Sequence, residues 1–151
     1  MEGIDVTFGT PRVLYVAVDI TLKPRKITVP ISPRFRFDTE KSRKTIDIEC
    51  RKANKTDVNY VIMAYNHEEY SRYLNDPDIL FQAIVVETMG LRDDVLYGMG
   101  TEAREMNKPF IIYTANPDMY KEWQEANYQV LKKPEDLNLL TQTILEHIQK
   151  T

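Results

Sequence analysis

Asp93 and Asp94, followed by Gly98, Gly100, Thr101 and Glu102, are the residues whose types and spacing best lend themselves to chemistry. Two carboxylates converging on one crevice can divide a displacement between them. One attacks or stabilises developing charge while the other carries or orients a proton. Gly98 and Gly100 would let a backbone come close to a ligand, and a helix starting there would turn its free N–H groups toward the same point. Thr101 would cap that helix or donate a hydrogen bond. These residues also have a plainer reading: glycines make tight turns, and Asp93 and Asp94 complement the positive end of a helix dipole.

Other reactive types are sparse. His67 and His147 are the only histidines and Cys50 the only cysteine. They form no group with metal-ligand spacing, so no metal site is expected. A lone cysteine in a half-buried stretch reads as a small core residue. The chain has no phosphate-binding Walker loop and no glycine fingerprint after its first strand, so no cofactor is expected. Trp123, Tyr120 and Tyr128 read as core or interface aromatics.

The elements that must position these residues follow from hydrophobic pattern. Val13 to Val18 is a short, apolar, β-branched run that reads as a buried strand ending at Asp19. Pro24, Pro30 and Pro33 exclude a helix over 23–37, leaving room for an edge strand from Ile27 to Ile31. From Asp38, as N-cap, a helix can run toward Lys55, although Thr45 to Cys50 alternates well enough for a strand. From residue 58 the order is regular. Strands are expected at Val58–Tyr65, Phe81–Val86, Phe110–Thr114 and Tyr128–Leu131. Helices are expected from His67, over 95–107 with a glycine-rich start, from Asn116-Pro117, and from Pro134 with Leu137, Leu140, Ile144 and Ile148 on one face. Alternation of this kind implies a flavodoxin-like α/β sandwich: one mostly parallel five-stranded sheet with helices on both faces.

The 151 residues, 42% hydrophobic and 28% charged, suit one α/β domain spanning 1–151. The N-terminus has no signal-peptide pattern and no apolar run is long enough for a membrane, so a cytoplasmic protein is expected. Charge is uneven. Residues 23–55 hold eleven Lys/Arg against four Asp/Glu, about +7, which leaves about −10 for the rest. Such a segment can attract phosphates or can be a solvated helix with pairs such as Glu40–Lys44 and Asp47–Arg51. It lacks regular aromatic interleaving, so nucleic acid is not the expected partner.

In an open parallel sheet, ligands bind outside the carboxyl ends of the strands. That rule selects Asp19, Asn66 and His67, the loop Glu87–Asp94 with Thr88, Thr114–Asp118, and Lys132–Lys133.

The run Ala83 to Ala103, with Asn107-Lys108-Pro109 and the following strand, resembles the nucleoside 2-deoxyribosyltransferase superfamily, which includes related N-glycosidases. The resemblance implies glycosidic bond chemistry on a nucleoside or nucleotide, by a transferase or hydrolase of nucleotide metabolism. Glu102 would be the nucleophile, with Glu105 as competitor, and Asp94 would assist. Asp19, Asp76, Thr88, Asp93, Gly98, Gly100 and Thr101 would contact substrate, in a site that a homo-oligomer would complete.

A second resemblance, to response-regulator receiver domains, rests on Thr114-Ala115 after the fourth strand and Lys133-Pro134 after the fifth. It implies a signalling or interaction module. Glu87 stands where a receiver has its aspartate, and the paired acids after the first strand are missing, so this module would not take up phosphate. It requires Lys133 to point toward Glu87. A nucleotide-binding sensor using the same crevice without chemistry is a third reading.

Overall fold

A computed structural model describes residues 11–18 and 33–149. The expected edge strand Ile27–Ile31 and Asp19 lie outside the described residues. Five strands, β1 (Pro11–Val16), β2 (Val61–Ala64), β3 (Leu80–Glu87), β4 (Phe110–Thr114) and β5 (Gln129–Lys132), form one sheet in the order β2-β1-β3-β4-β5. All four pairings are parallel. Five helices connect and follow them: α1 (Pro33–Asn54), α2 (His67–Leu74), α3 (Asp93–Glu105), α4 (Pro117–Glu125) and α5 (Leu137–Gln149). This is the flavodoxin-like arrangement, whose strand order reverses between β1 and β3.

Strand side chains alternate between the two faces, and each face has its own core. Val13, Tyr15, Ala83, Val85, Ile111 and Tyr113 pack with Ile46 and Cys50 of α1 and with Leu140, Ile144 and Ile148 of α5. Leu14, Val16, Ile84, Val86 and Ile112 pack with Tyr70 and Leu74 of α2, Leu96, Met99 and Ala103 of α3, and Trp123 of α4. Central β3 is buried from Phe81 to Glu87, as expected of a strand covered on both sides.

Two expected elements change. The helix starts at Pro33, not Asp38, because a proline in a first turn lacks only an N–H that would be unpaired anyway. The alternative strand at Thr45–Cys50 is a helix: Ile46 is buried and Ile48 is 51% exposed, whereas Thr39, Ser42, Ile46 and Cys50 are buried at helical spacing. The second change concerns the glycines. Gly98 and Gly100 do not open α3 but lie inside it, since the helix already starts at Asp93. Burial of Leu96, Met99 and Ala103 outweighs the roughly 1 kcal/mol that each glycine costs a helix.

The two glycines differ in surroundings. A Cβ at Gly98 would meet nothing within 4 Å, whereas one at Gly100 would lie 2.7 Å from Tyr128 Cε1. The Tyr128 ring cannot easily yield, being held by Arg104 at 4.0 Å and Trp123 at 5.2 Å. Gly98→Ala should therefore stabilise the protein by up to about 1 kcal/mol, and Gly100→Ala should destabilise it by about 1–3 kcal/mol. Urea denaturation of the two variants checks both signs.

Candidate functional site

Glu87 ends β3 at the point where the strand order reverses. The two-residue period that turns Ala83 and Val85 toward α1 and α5 turns Glu87 the same way. It is 1% exposed, so its charge must be met within the protein. Lys133 Nζ, just past β5 and 6% exposed, donates to Glu87 Oε1 at 2.9 Å. Thr39 of α1 donates to the same oxygen at 2.7 Å. Tyr15 of β1 donates its phenol proton to Oε2. Lys133 Nζ also donates to Thr39 Oγ1 at 3.2 Å, closing the group. Both carboxylate oxygens thus hold strong donors drawn from β1, α1 and the end of β5.

The opposite side of the edge is also tied. The Thr88 and Thr114 hydroxyls are 2.8 Å apart, and the Asn116 N–H donates to Thr114 Oγ1 at 3.1 Å. Asn116 in turn caps α4 by accepting from the N–H groups of Asp118 and Met119. The Lys133 N–H donates to the Thr114 carbonyl at 2.8 Å, which fixes the backbone from which the ammonium reaches inward. Above these links lies a cleft of about 850 Å³, walled by Met89, Tyr113, Ala115, Pro117, Met119 and Pro134, with Asp38, Asn116, Glu87, Thr88 and Lys133 as its polar lining.

The other residues singled out by spacing lie elsewhere. Glu102 is in the last half of α3 and accepts from Ser71 Oγ and Asn75 Nδ2 of the α2 region, both at 3.2 Å. Asp94 is exposed in the first turn of α3 and pairs with Arg92, which holds its carboxyl below the usual range. Eight residues of helix separate them, about 12 Å along the axis, so one binds α2 while the other faces solvent at the carboxyl edge. Asp76 lies in the turn before β3, at the amino edge, and accepts from the Asp78 N–H at 2.9 Å. Asp93, Gly98, Thr101 and Glu105 are exposed along α3, and Gly100 is buried against Tyr128. Thr88 alone of the expected substrate contacts within the described residues lines the cleft beside Glu87.

Tyr15 and Thr39 were not visible as site residues in the sequence. Tyr15 sits in an apolar strand where a tyrosine reads as core, and Thr39 lies within a helix whose true start was hidden by prolines. Burial, with the nearby Glu87 charge, raises the Tyr15 phenol well above its usual value, so it stays a proton donor. Burial likewise pushes Tyr113 from 10.0 up to about 12.

No family model and no curated protein matches the chain. Among solved structures it is similar to an adenylate cyclase from Rhodopirellula baltica, at 15% identity over 91% of this chain and 89% of that one, with a TM-score of 0.54. It is also similar to a response regulator receiver domain protein from Clostridium thermocellum, at 15% identity over 93% and 95%, with a TM-score of 0.48. At this identity the first likeness bears on fold alone, and it agrees with the flavodoxin-like sheet. The transferase and hydrolase assignments drawn from the deoxyribosyltransferase resemblance are corrected: Glu102 and Asp94 do not meet, since one is bound to Ser71 and Asn75 and the other to Arg92. Lys133 points to Glu87, as the receiver-like resemblance requires. No helix among the described residues is long and apolar enough to cross a membrane.

Removing one member of a buried ion pair leaves the other charge unmet, so Glu87→Leu or Lys133→Met alone should cost about 3–5 kcal/mol. The double variant should cost less than the sum of the two by about 1 kcal/mol or more, as read by urea denaturation. The tyrosines set a pH limit. The folded state holds the Tyr113 proton more tightly than the unfolded chain does, so the contribution is complete below pH 10. It is lost as pH rises from 10.0 toward about 12. Thermal melts should show stability falling above pH 10, and Tyr113→Phe should make that fall shallower.

Proposed function

We propose that this domain is a receiver-like signalling or interaction module that does not carry out phosphoryl transfer. The observation that carries this reading is that both carboxylate oxygens of buried Glu87 are already engaged. A carboxylate has about four acceptor positions on two oxygens, and here Lys133, Thr39 and Tyr15 occupy Oε1 and Oε2 in a site 1% exposed. An oxygen already engaged in charge-assisted bonds is a poor nucleophile. The side chain that stands at the reacting position of a receiver therefore acts as a fixed anion, held by the lysine that follows β5.

Its consequence is a constant edge. In this reading the loops after β3, β4 and β5 take their shape from a permanent internal charge pair, and the apolar cleft above them is presented without any covalent signal. Met89 and Met119, long and unbranched, suit a surface that adapts to what it meets.

Incubation with acetyl phosphate and magnesium should give no phosphoryl adduct by intact mass. A nucleoside panel should release no free base. Glu87→Gln should move the amide resonances of Thr88, Met89, Thr114 and Asn116 while leaving those of α2 in place. Stable phosphorylation at Glu87, or at any residue of the carboxyl edge, would remove this reading.

A further inference from the structure

We propose that the outward face of α1 docks a short acidic helix of a partner protein. The inference goes beyond the reading of the sheet edge and stands whether or not Glu87 is inert. It starts from the uneven charge of the chain, which the edge does not use. Helix α1 carries acids as well as bases; Glu40 and Glu49 remain at its surface, each beside a basic neighbour, while Asp47 is buried. Asp47 is 6% exposed, and its carboxylate is consumed internally by the N–H groups of Tyr60 at 2.6 Å and Val61 at 3.2 Å and by Arg51 at 2.8 Å. Glu40 is bound to Arg43 at 3.0 Å.

The lysines are turned the other way. Lys41, Lys44, Lys52 and Lys55 are all exposed. Lys41, Lys44 and Lys52, together with Ile48, recur at steps of three and four, which is one helix face about 16 Å long, and Lys55 lies just past the end of the helix. Among the described residues, no carboxylate lies within ion-pair distance of Lys41, Lys44 or Lys55, and Lys52 meets Glu49 only at 3.7 Å. The helix dipole accounts for positive charge at Lys52 and Lys55. It does not account for Lys41 and Lys44, which lie mid-helix beyond its reach. Ile48 sits at the centre of this stripe, 51% exposed, and supplies the apolar middle that a charged rim commonly surrounds at interfaces.

The kind of partner follows from charge and extent. Residues outside 23–55 sum to about −10, so a long polyanion or an anionic membrane would meet repulsion on either side of the stripe. Among the described side chains of α1 the exposed cations are lysines, without the bidentate fork with which arginine grips phosphate. A short amphipathic helix with Glu at steps of three and four beside a leucine row matches the stripe in length, sign and apolar centre.

The test uses the full chain and a labelled helical peptide of about 20 residues, roughly 30 Å long, with glutamates flanking a leucine row. Fluorescence anisotropy should show saturable binding that weakens with salt. Lys41→Gln/Lys44→Gln/Lys52→Gln should weaken it about tenfold or more, and Ile48→Ser several-fold, with unchanged circular dichroism and thermal melts. The same peptide with lysines for glutamates should not bind. The proposal is overturned if the acidic peptide fails to bind, if the triple variant binds it equally well, or if a DNA duplex or phosphatidylserine vesicles bind more tightly than the peptide. None of these outcomes bears on phosphorylation at Glu87, so the two readings fail separately.

Discussion

Burying Glu87 beside Lys133 is the constraint to which the rest of the carboxyl edge answers. Each ion loses several kcal/mol of hydration on entering the interior, and their attraction offsets this only when further hydrogen bonds complete the geometry. Here the completing donors are Thr39 and Tyr15. Because the four residues come from β1, α1, β3 and the segment after β5, the pair is tolerable only in the assembled sheet. An edge that is merely approximate would leave an unmet charge at its centre, so the same interaction that costs hydration also selects one arrangement of these elements.

Strand alternation distributes this work across both faces. Glu87 and Tyr113 belong to the layer of α1 and α5, while Thr88, just past β3, and Thr114, the last residue of β4, meet each other at 2.8 Å. The β3 and β4 ends are therefore tied by a hydroxyl pair on one side and by the charged group on the other. From Thr114 the connection passes through the Asn116 N–H to the cap of α4, and through its carbonyl to the backbone of Lys133. Two polar networks of different character converge on one short loop, and the apolar cleft lies above them.

Much of this was legible from periodicity, because strands buried on both faces and helices with one apolar stripe leave strong signals. Four of the five strands and the helices from His67 onward lie close to where pattern placed them. The parallel sheet placed Glu87 and Lys133 at one carboxyl edge, and their pairing was legible only through the receiver-like resemblance, which requires it. Three features were not. Pro33 masked the start of α1, because a proline is costly within a helix yet costless in its first turn. Gly98 and Gly100 suggested a ligand-facing turn, but propensity yields to the burial of Leu96, Met99 and Ala103 around them. Glu102 and Asp94 were close in sequence, and along a helix eight residues are enough to carry two carboxylates to different ends of the fold.

An acid at the end of β3 has two possible uses, and the surroundings decide between them. As a nucleophile it needs a free lone pair, access, and a neighbour able to stabilise the leaving charge. Glu87 has its oxygens occupied and is 1% exposed. As a fixed anion it needs donors and dryness, and it has both. If the edge is held by a constant charge, no covalent event distinguishes one state of the cleft from another. Any signal must then arrive as a partner with unequal affinity for two conformations, since a ligand shifts an equilibrium only by that difference. A module of this kind is governed by which partner is present and how tightly it binds. Its informative surfaces are then the adaptable cleft lined by Met89 and Met119 and the lysine face of α1, which lies on the helix that supplies Thr39 to the buried pair.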